Sequence, residues 1–293
     1  MLKVIPLRYG TMFKKVFGDR EVFNRFVSDA LDMTVEVDAV HQEYRYPTPV
    51  GKVNVEYDLF GEDTARRVIV EVQHIRERDF FDRFLHYHLV SVVEQAESHE
   101  QYRIERDVFT LVVLTTQPKE RELQFSVAVS GMDPVSEQGA RVGVYRHRLV
   151  FLNPKVVNAK TPARVKPWLE LIADSLDGEV DETHYPDPMM QRALRTAVTR
   201  SVSPDELARI KDEAAWEATK AEARSEGRAE GQALGRAEGE AKGKATGLRA
   251  AIETACELLG VELDAGRRAW LDAADAPALE GRLASLRATK RWG

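Results

Sequence analysis

Apolar side chains recur at helical spacing close to the N-terminus. Between Gly10 and Met33 they fall three or four residues apart, and Gly18-Asp19 interrupts the series. The apolar positions are Phe13, Val16, Phe17, Val22, Phe23, Phe26, Val27 and Leu31. This spacing predicts two short helices separated by a turn.

The following segments have the alternating pattern that is typical of strands. Residues 35–46 alternate apolar and polar side chains in places, until two prolines stop the pattern, and a second strand is predicted over residues 53–60. Turn-forming residues at 61–64 precede a β-branched run at 67–73, which predicts a third strand. We expect the second and third strands to pair as a hairpin.

Helix and strand patterns alternate further along the chain. The apolar positions of residues 80–96 lie on one side of a predicted helix, and residues 109–116 form a nearly continuous apolar strand. Another strand is predicted around residues 143–152. This order of elements predicts an α/β core that ends near residue 180.

A different kind of helix is predicted to begin at Ser203. A capping serine, a proline in the first turn and Glu206 three residues later form a helix-start pattern. Glycine then recurs at every fourth position from Gly227 to Gly247. Each glycine costs a helix about 1 kcal/mol relative to alanine, so an isolated helix would be marginal here. The segment is either a helix against which a second helix packs closely, or a flexible charged linker.

Apolar residues return at helical spacing near the C-terminus, over residues 248–259 and 279–292. They predict a closing helical hairpin or a small oligomerisation module. We therefore divide the chain into a first domain over residues 1–200, a charged helical segment over 201–247 and a C-terminal helical module over 248–293. The glycine periodicity and the terminal helices predict a homodimer formed through the C-terminal region.

Composition narrows the class of protein. Hydrophobic residues make up 43% and charged residues 31% of the chain, which allows a packed core under a charged surface. The net charge of −6 argues against a protein that coats nucleic acid, but it leaves room for a local basic rim on a DNA enzyme. The apolar stretches are far shorter than the ~20 residues that cross a bilayer, so we expect a cytoplasmic protein without a membrane segment.

Polar side chains with metal-binding chemistry stand on the predicted hairpin. Asp58 ends the second strand, and Glu71 and Gln73 point to one face of the third strand because side chains alternate. If the hairpin forms, these groups meet, and two carboxylates with the main-chain carbonyl of Val72 and waters suit Mg²⁺. Such an ion can orient water and stabilise charge on a cleaved phosphodiester. Alternatively, Glu71 and Gln73 are the solvent-facing positions of a half-buried strand.

Four stretches of the chain carry a resemblance to a known family. They read RYGTMFKKVF at 8–17, YDLF at 57–60, VEVQH at 70–74 and FFDRFLHYH at 80–88. Over roughly residues 5–220, the chain resembles the PD-(D/E)XK nuclease family of transposases, related to the Rpn recombination-promoting nucleases. The tail with glycine at every fourth position is also common among such proteins.

The resemblance implies an α/β fold with a restriction-endonuclease-like mixed sheet flanked by helices, followed here by a helical C-terminal tail. It also implies DNA endonuclease chemistry with Mg²⁺, or Mn²⁺ in its place, and a link to recombination or mobile elements. On this resemblance Asp58 and Glu71 match the two acidic motif residues. Gln73 stands where the broader superfamily has lysine, and Gly10 stands where relatives often have aspartate, so a further acidic ligand is missing there.

The resemblance also places Arg83 and Tyr87 beside the active cleft, on one side of a helix. Arg83 could hold a DNA phosphate by two parallel hydrogen bonds, or form an ordinary ion pair with a nearby acid. Lys14, with Lys15 and the arginines at 76 and 78, could add a basic rim or form a solvated charged surface.

Two functions follow from these observations. The first is an endonuclease in which Asp58 and Glu71 hold the metal ion and Gln73 orients the attacking water. The second is a non-catalytic protein that keeps the fold to bind DNA or a partner, which the missing lysine at 73 and the missing aspartate at 10 favour. The amide of Gln73 can donate and accept hydrogen bonds, but it cannot serve as a general base.

Overall fold

The computed structural model describes residues 1–47, 54–74, 80–96, 103–116 and 124–292. These residues form two compact units, Met1–Glu217 and Ala218–Gly293. The helices are α1 (Gly10–Phe17), α2 (Arg20–Leu31), α3 (Phe80–Val93), α4 (Lys166–Asp174), α5 (Pro188–Ala197), α6 (Pro204–Leu259), α7 (Ala265–Ala273) and α8 (Ala276–Thr289). The strands are β1 (Leu2–Lys3), β2 (Ala39–Tyr44), β3 (Tyr57–Glu62), β4 (Arg66–Gln73), β5 (Asp107–Leu114), β6 (Val127–Gly131), β7 (Arg148–Leu152) and β8 (Glu179–Val180).

A mixed sheet of six strands forms the centre of the first unit, in the order β2-β3-β4-β5-β7-β6. Strands β4, β5 and β7 run parallel, whereas β2, β3 and β6 pair with their neighbours antiparallel. The short strands β1 and β8 form a separate antiparallel pair. The mixed α/β fold is thus confirmed.

Helices cover both faces of the six-stranded sheet. On one face, α1, α2, α4 and α5 pack against Val68 and Val70 of β4 and form the largest apolar core. On the other face, α3 packs against Ile69 of β4 and Val112 of β5. The central strands are buried on both sides, which explains why β5 reads as a continuous apolar run.

The amphipathic helix α1 shows how local sequence positions side chains for the site. Met12, Phe13, Val16 and Phe17 are buried in the core, because residues three and four apart share one helix face. Lys14 falls between them on the less buried side of the helix. Its ammonium group therefore remains near the surface, where it contacts Glu43 of β2.

Several predicted elements are confirmed, with shifted boundaries. The two N-terminal helices are α1 and α2, and the predicted hairpin is formed by β3 and β4, joined by a three-residue turn over 63–65. The prediction that Asp58 ends its strand is wrong, because Asp58 lies at the beginning of β3. The strand continues through Gly61 and Glu62, although turn-forming residues at 61–64 predict that these two positions belong to the turn.

The predicted helix start at Ser203 is confirmed in detail. Ser203 Oγ accepts a hydrogen bond from Glu206 N at 3.3 Å, and Ser203 N donates to Glu206 Oε2 at 2.7 Å. These reciprocal bonds between Ser203, which precedes α6, and Glu206 in its first turn form a capping box. The helix is continuous through the glycine series, so the alternative of a flexible linker is wrong.

The second unit has a small apolar core of its own. It is formed by Ile252, Cys256, Leu271, Leu279, Leu283 and Leu286. Arg249 donates to the carbonyls of Leu271, Asp272 and Ala274, at 2.6, 3.0 and 2.9 Å, which satisfies the C-terminal carbonyl groups of α7. The predicted closing helices are therefore the end of α6 and α8, with α7 between them.

The glycines of α6 face open space in the described part of the chain. A Cβ atom added at any of the six positions from Gly227 to Gly247 would meet no atom within 4 Å. The described residues thus give no support to the expected homodimer, which stays a prediction, as does the division at residues 200 and 247. Among the described helices, none combines the length and apolar character that crossing a bilayer requires.

Substituting glycines of α6 tests whether a second helix covers them. We expect Gly231→Ala, Gly235→Ala and Gly239→Ala together to raise the thermal midpoint of the helical circular dichroism signal, because each alanine stabilises an exposed helix by about 1 kcal/mol. Light scattering should give an unchanged molar mass. A lower midpoint together with a smaller assembly would instead mean that a partner helix packs on the glycines.

Candidate active site

Strands β3 and β4 separate at one end, and two carboxylates lie where they separate. The last regular pair of the ladder is Leu59 with Val70. Beyond it, Asp58 N donates to Glu71 Oε1 at 3.0 Å, and Val72 N donates to Asp58 Oδ2 at 3.0 Å. Side-chain oxygens thus replace main-chain carbonyls as acceptors, and they fix both acidic groups against the backbone of the opposite strand.

The two carboxylates are held in an unfavourable environment for negative charge. Glu71 is only 2% exposed, so the interpretation of this residue as a solvent-facing strand position is wrong. Burial raises the pKa of Glu71 well above its usual value, and the adjacent charge of Asp58 adds to this shift. Burial likewise raises the pKa of Asp58, despite the hydrogen bond from Val72. Binding of a proton or of a metal cation to this pair is therefore favourable.

Cationic side chains approach this pair from both faces of the sheet. Lys14 comes from α1 and Arg83 from α3, and the positive charge of each lowers the pKa of both Asp58 and Glu71. These contributions do not outweigh burial, so the pKa of each carboxyl stays raised. The site thus combines two acids with two flanking cations, an arrangement suited to binding a cation and a phosphate together.

Lys14 also has a partner on the neighbouring edge strand. Its Nζ lies 2.8 Å from Glu43 Oε1. Burial would lower the pKa of Lys14, but the bond to Glu43 and the charges of Asp58 and Glu213 raise it overall. The lysine is therefore held as an ammonium ion at the rim of the site.

Arg83 and Tyr87 are joined on α3, as their spacing of four residues predicts. Arg83 Nε donates to Tyr87 Oη at 3.3 Å, and the guanidinium carbon lies 5.2 Å from the centre of the Tyr87 ring. The carbonyl of Tyr87 accepts a hydrogen bond from Tyr57 Oη at 3.0 Å. The contacts with the Tyr87 side chain therefore orient the Arg83 guanidinium on α3.

Gln73 is the last residue of β4, two positions after Glu71. Its main-chain carbonyl accepts a hydrogen bond from Thr115 N at 3.0 Å, which ties the end of β4 to the end of β5. His74 follows, and its Nδ1 lies 2.9 Å from Thr115 Oγ1. Burial lowers the pKa of His74 to about 4, so its imidazole is neutral at physiological pH. The roles assigned to the Gln73 amide and the Val72 carbonyl stay predictions.

Another acid, Glu213 of α6, contacts the first turn of α1, the helix that also carries Lys14. Glu213 Oε1 accepts hydrogen bonds from Thr11 N at 3.0 Å and from Thr11 Oγ1 at 2.5 Å. Both of its carboxylate oxygens lie 3.9 Å from where a Cβ atom on Gly10 would stand. Its negative charge also contributes to the raised pKa of Asp58. Sequence reasoning missed this residue, because no local pattern links it to β3.

The rest of the predicted basic rim is not confirmed. Lys15 points away from the carboxylate pair, since its Nζ lies 2.7 Å from Glu206 Oε2 and donates to the carbonyl of Ser201 at 2.7 Å. It therefore fastens α1 to the beginning of α6. The arginines at 76 and 78 lie outside the described residues.

A polar cavity of about 770 Å³ adjoins the end of β4. It is lined by Arg8, His74, Thr115, Lys155, His184 and Tyr185, with several acidic and apolar residues. Neither Asp58 nor Glu71 lines it. The cavity lies at the carboxyl ends of β4 and β5, an edge where ligands commonly bind in α/β sheets.

The chemistry of the carboxylate pair fits a hard divalent cation. Oxygen atoms are the ligands that Mg²⁺ and Mn²⁺ prefer, and two neighbouring acids with raised pKa values gain from a bound positive charge. In the described part of the chain, no three His, Cys, Asp or Glu side chains are grouped closely enough to enclose an ion by themselves. Water would have to complete the coordination, as it commonly does for Mg²⁺.

A mixed six-stranded sheet flanked by helices, with an acidic pair where two strands part, is consistent with an α/β fold of the nuclease type. A family model described as PD-(D/E)XK nuclease family transposase matches residues 10–222, and the chain belongs to this family. Membership supports a nuclease or recombination-related role, and members of the class typically use divalent metals. Comparisons with curated proteins and with solved structures gave no match.

Neutralising Glu71 is expected to stabilise the metal-free protein. The raised pKa means that stability is greatest below the usual carboxyl pKa and is lost as pH rises through the pKa of the folded state. Glu71→Gln keeps an acceptor for Asp58 N and removes the charge, so we expect it to unfold about 2–4 °C above the native protein at pH 8. The difference should shrink at pH 5.

Exposed Glu36 provides the control, since Glu36→Gln should leave the melting temperature unchanged at both pH values. Thermal unfolding in EDTA measures all three proteins. A Glu71→Gln protein that unfolds below the native protein at pH 8 would show that the carboxylate stabilises the fold and is not strained by its surroundings.

Proposed function

We propose that this protein is a Mg²⁺-dependent endodeoxyribonuclease that hydrolyses DNA phosphodiester bonds, with Mn²⁺ able to replace Mg²⁺. One observation carries the proposal: where β3 and β4 part, the half-buried Asp58 and the buried Glu71 each accept a hydrogen bond from the backbone of the opposite strand. Family membership supports the same chemistry. A role in recombination or in the movement of mobile elements is the biological setting that the family favours.

Each site residue has a distinct task in this reaction. Asp58 and Glu71 would hold the cation, which would supply Lewis-acid stabilisation of the phosphate and lower the pKa of water. Gln73 orients the attacking water through its amide, and the main-chain carbonyl of Val72 offers a further oxygen ligand. Because the Gln73 amide is not basic enough to accept a proton, it would orient the water only, and the proton of the water would pass to solvent or to a phosphate oxygen.

DNA binding in this proposal rests on a small group of cations and not on the charge of the whole molecule. The net charge is −6, so attraction of DNA depends on local positive groups. Lys14 and Arg83 flank the acids and can neutralise the phosphate whose bond is cut, while Tyr87 fixes the Arg83 guanidinium. Arg83 suits this task because its planar fork can donate two hydrogen bonds to one phosphate.

The alternative function is a protein of the same fold that binds DNA or a partner without cutting. Gln73 favours it, because the superfamily lysine at this position would bring a positive charge that an amide cannot replace. Under this alternative the acidic pair would still bind a cation, but the reaction would be slow or absent. Cleavage assays separate the two functions directly.

Removing either carboxylate should abolish nicking of supercoiled plasmid. We expect Asp58→Asn and Glu71→Gln each to reduce the Mg²⁺-dependent nicking rate by about 100-fold or more, because each removes a ligand of the ion. The control Glu36→Gln should cut at the native rate, and EDTA should stop the reaction. Equal nicking by all variants would indicate a contaminating nuclease, and no nicking by the native protein with Mg²⁺ or Mn²⁺ would favour the non-catalytic alternative.

Arg83 should account for a measurable part of DNA affinity. In EDTA, where no cleavage occurs, Arg83→Gln is expected to weaken binding to a labelled duplex and to reduce the slope of log affinity against log salt by about 0.9, the value for one phosphate contact. Fluorescence anisotropy at several salt concentrations measures both quantities. The exposed Arg195 of α5 provides a control as Arg195→Gln, and an Arg83→Gln protein that keeps the native slope would rule out this phosphate contact.

A further inference from the structure

An arginine of the second unit is held between two tryptophans. The guanidinium carbon of Arg282, on α8, lies 4.9 Å from the ring centre of Trp270 and 4.9 Å from that of Trp292. The two rings meet nearly at a right angle, with their centres 5.9 Å apart. Arg267 of α7 also approaches this pair, 5.7 Å from the centre of the Trp292 ring. The aromatic contacts fix the direction of the Arg282 side chain.

The hydrogen-bond donors of Arg282 are not used within the described part of the chain. Its Nε is buried there without a hydrogen-bond partner, whereas its two terminal Nη groups are not buried. Arg267, by contrast, forms an ion pair with Asp264 at 3.6 Å and donates to the carbonyl of Glu262. The tryptophans cover the faces of the Arg282 guanidinium, and its terminal N–H groups therefore remain for an acceptor outside the protein.

The sequence around this cluster is basic in an acidic protein. Residues 265–293 contain six Lys and Arg and three Asp and Glu, whereas the net charge of the whole chain is −6. Four of these basic residues are exposed, namely Arg268, Arg287, Lys290 and Arg291. A local excess of positive charge attracts a polyanion. For a chain of this nuclease family the polyanion that its chemistry favours is DNA, although the family model ends at residue 222 and does not include the cluster.

We propose that Arg282, oriented by Trp270 and Trp292, binds a backbone phosphate of DNA at a second site, which is formed by the second unit. The planar fork of an arginine donates two hydrogen bonds to one phosphate, and stacking on aromatic rings pre-organises that fork. Phosphate contacts add affinity and position a protein on DNA without reading its sequence. The site goes beyond the proposed function, because it takes no part in metal binding or in cleavage.

Binding of the full-length protein to a labelled DNA duplex in EDTA tests this site without relying on cleavage. Fluorescence anisotropy at several salt concentrations gives the affinity and its salt dependence. Arg282→Gln is expected to weaken binding about 10-fold and to reduce the slope of log affinity against log salt by about 0.9, because one charged phosphate contact is lost. Arg282→Lys keeps the charge but not the fork, so it should keep the native slope and bind more weakly than the native protein.

Arg236→Gln is the matched control in the same unit. Arg236 is exposed on α6 and its guanidinium is paired with Glu240 at 3.0 Å, so this variant should keep the native affinity and slope. A slope reduced as much in Arg236→Gln as in Arg282→Gln would overturn the proposal, because the loss of any positive charge would then have the same effect. Binding of poly-glutamate as tightly as DNA would also overturn it, because the site would then not select phosphate.

Native affinity and slope in Arg282→Gln would refute the phosphate contact. A lower melting temperature of this variant together with a native slope would refute it as well, because the tryptophan contacts would then serve the fold alone. Arg282→Lys keeps a cation between the rings and therefore tests the site even where Arg282→Gln is less stable. A reduced slope in Arg282→Gln, with no plasmid nicking by the native protein, would support this site and refute the proposed function.

Discussion

The central constraint in this molecule is the repulsion between the half-buried carboxylate of Asp58 and the buried carboxylate of Glu71, which the fold holds where β3 and β4 part. Asp58 and Glu71 cannot move apart, because each accepts a hydrogen bond from the backbone of the opposite strand. Neither can turn to bulk water without breaking that bond. Other groups of the fold must therefore offset the repulsion between the two carboxylates.

The sheet supplies rigidity, and the helices supply charge. Pairing of β4 with β5 continues past Glu71 as far as Gln73 with Leu114, so the acidic end of β4 is supported on one side while its other side opens towards β3. Lys14 and Arg83 then approach from helices on opposite faces. Their positive charge reduces the free-energy cost of holding the two carboxylates together but does not cancel it. The pair therefore retains an affinity for a further cation.

Sequence patterns predicted the parts of the site that depend on local structure. The β-branched run of β4 and the turn after β3 implied a hairpin, and alternation along a strand placed Glu71 on the face where Asp58 meets it. The same reasoning could not find the contact between Glu213 and Thr11, because it depends on packing between α1 and α6, which are remote in sequence. It also missed the burial of Glu71, since periodicity cannot distinguish a buried polar position from a solvated one.

The glycine series was the most regular feature of the sequence, yet its period alone did not decide between helix and linker. The continuous helix α6 answers that question, and the open space around its glycines shows no packing reason for them among the described residues. At the N-terminal end of the same helix, a capping box fixes the first turn, and the ion pair between Lys15 and Glu206 joins α6 to α1.

The position of the ion is the most direct test of this account. Diffraction from crystals of the native protein grown with Mn²⁺, recorded at the manganese absorption edge, locates the metal by its anomalous signal. The account predicts a peak bounded by the carboxylates of Asp58 and Glu71. A map without a peak between these two side chains, or coordinates that place them on opposite faces of the sheet, would contradict it.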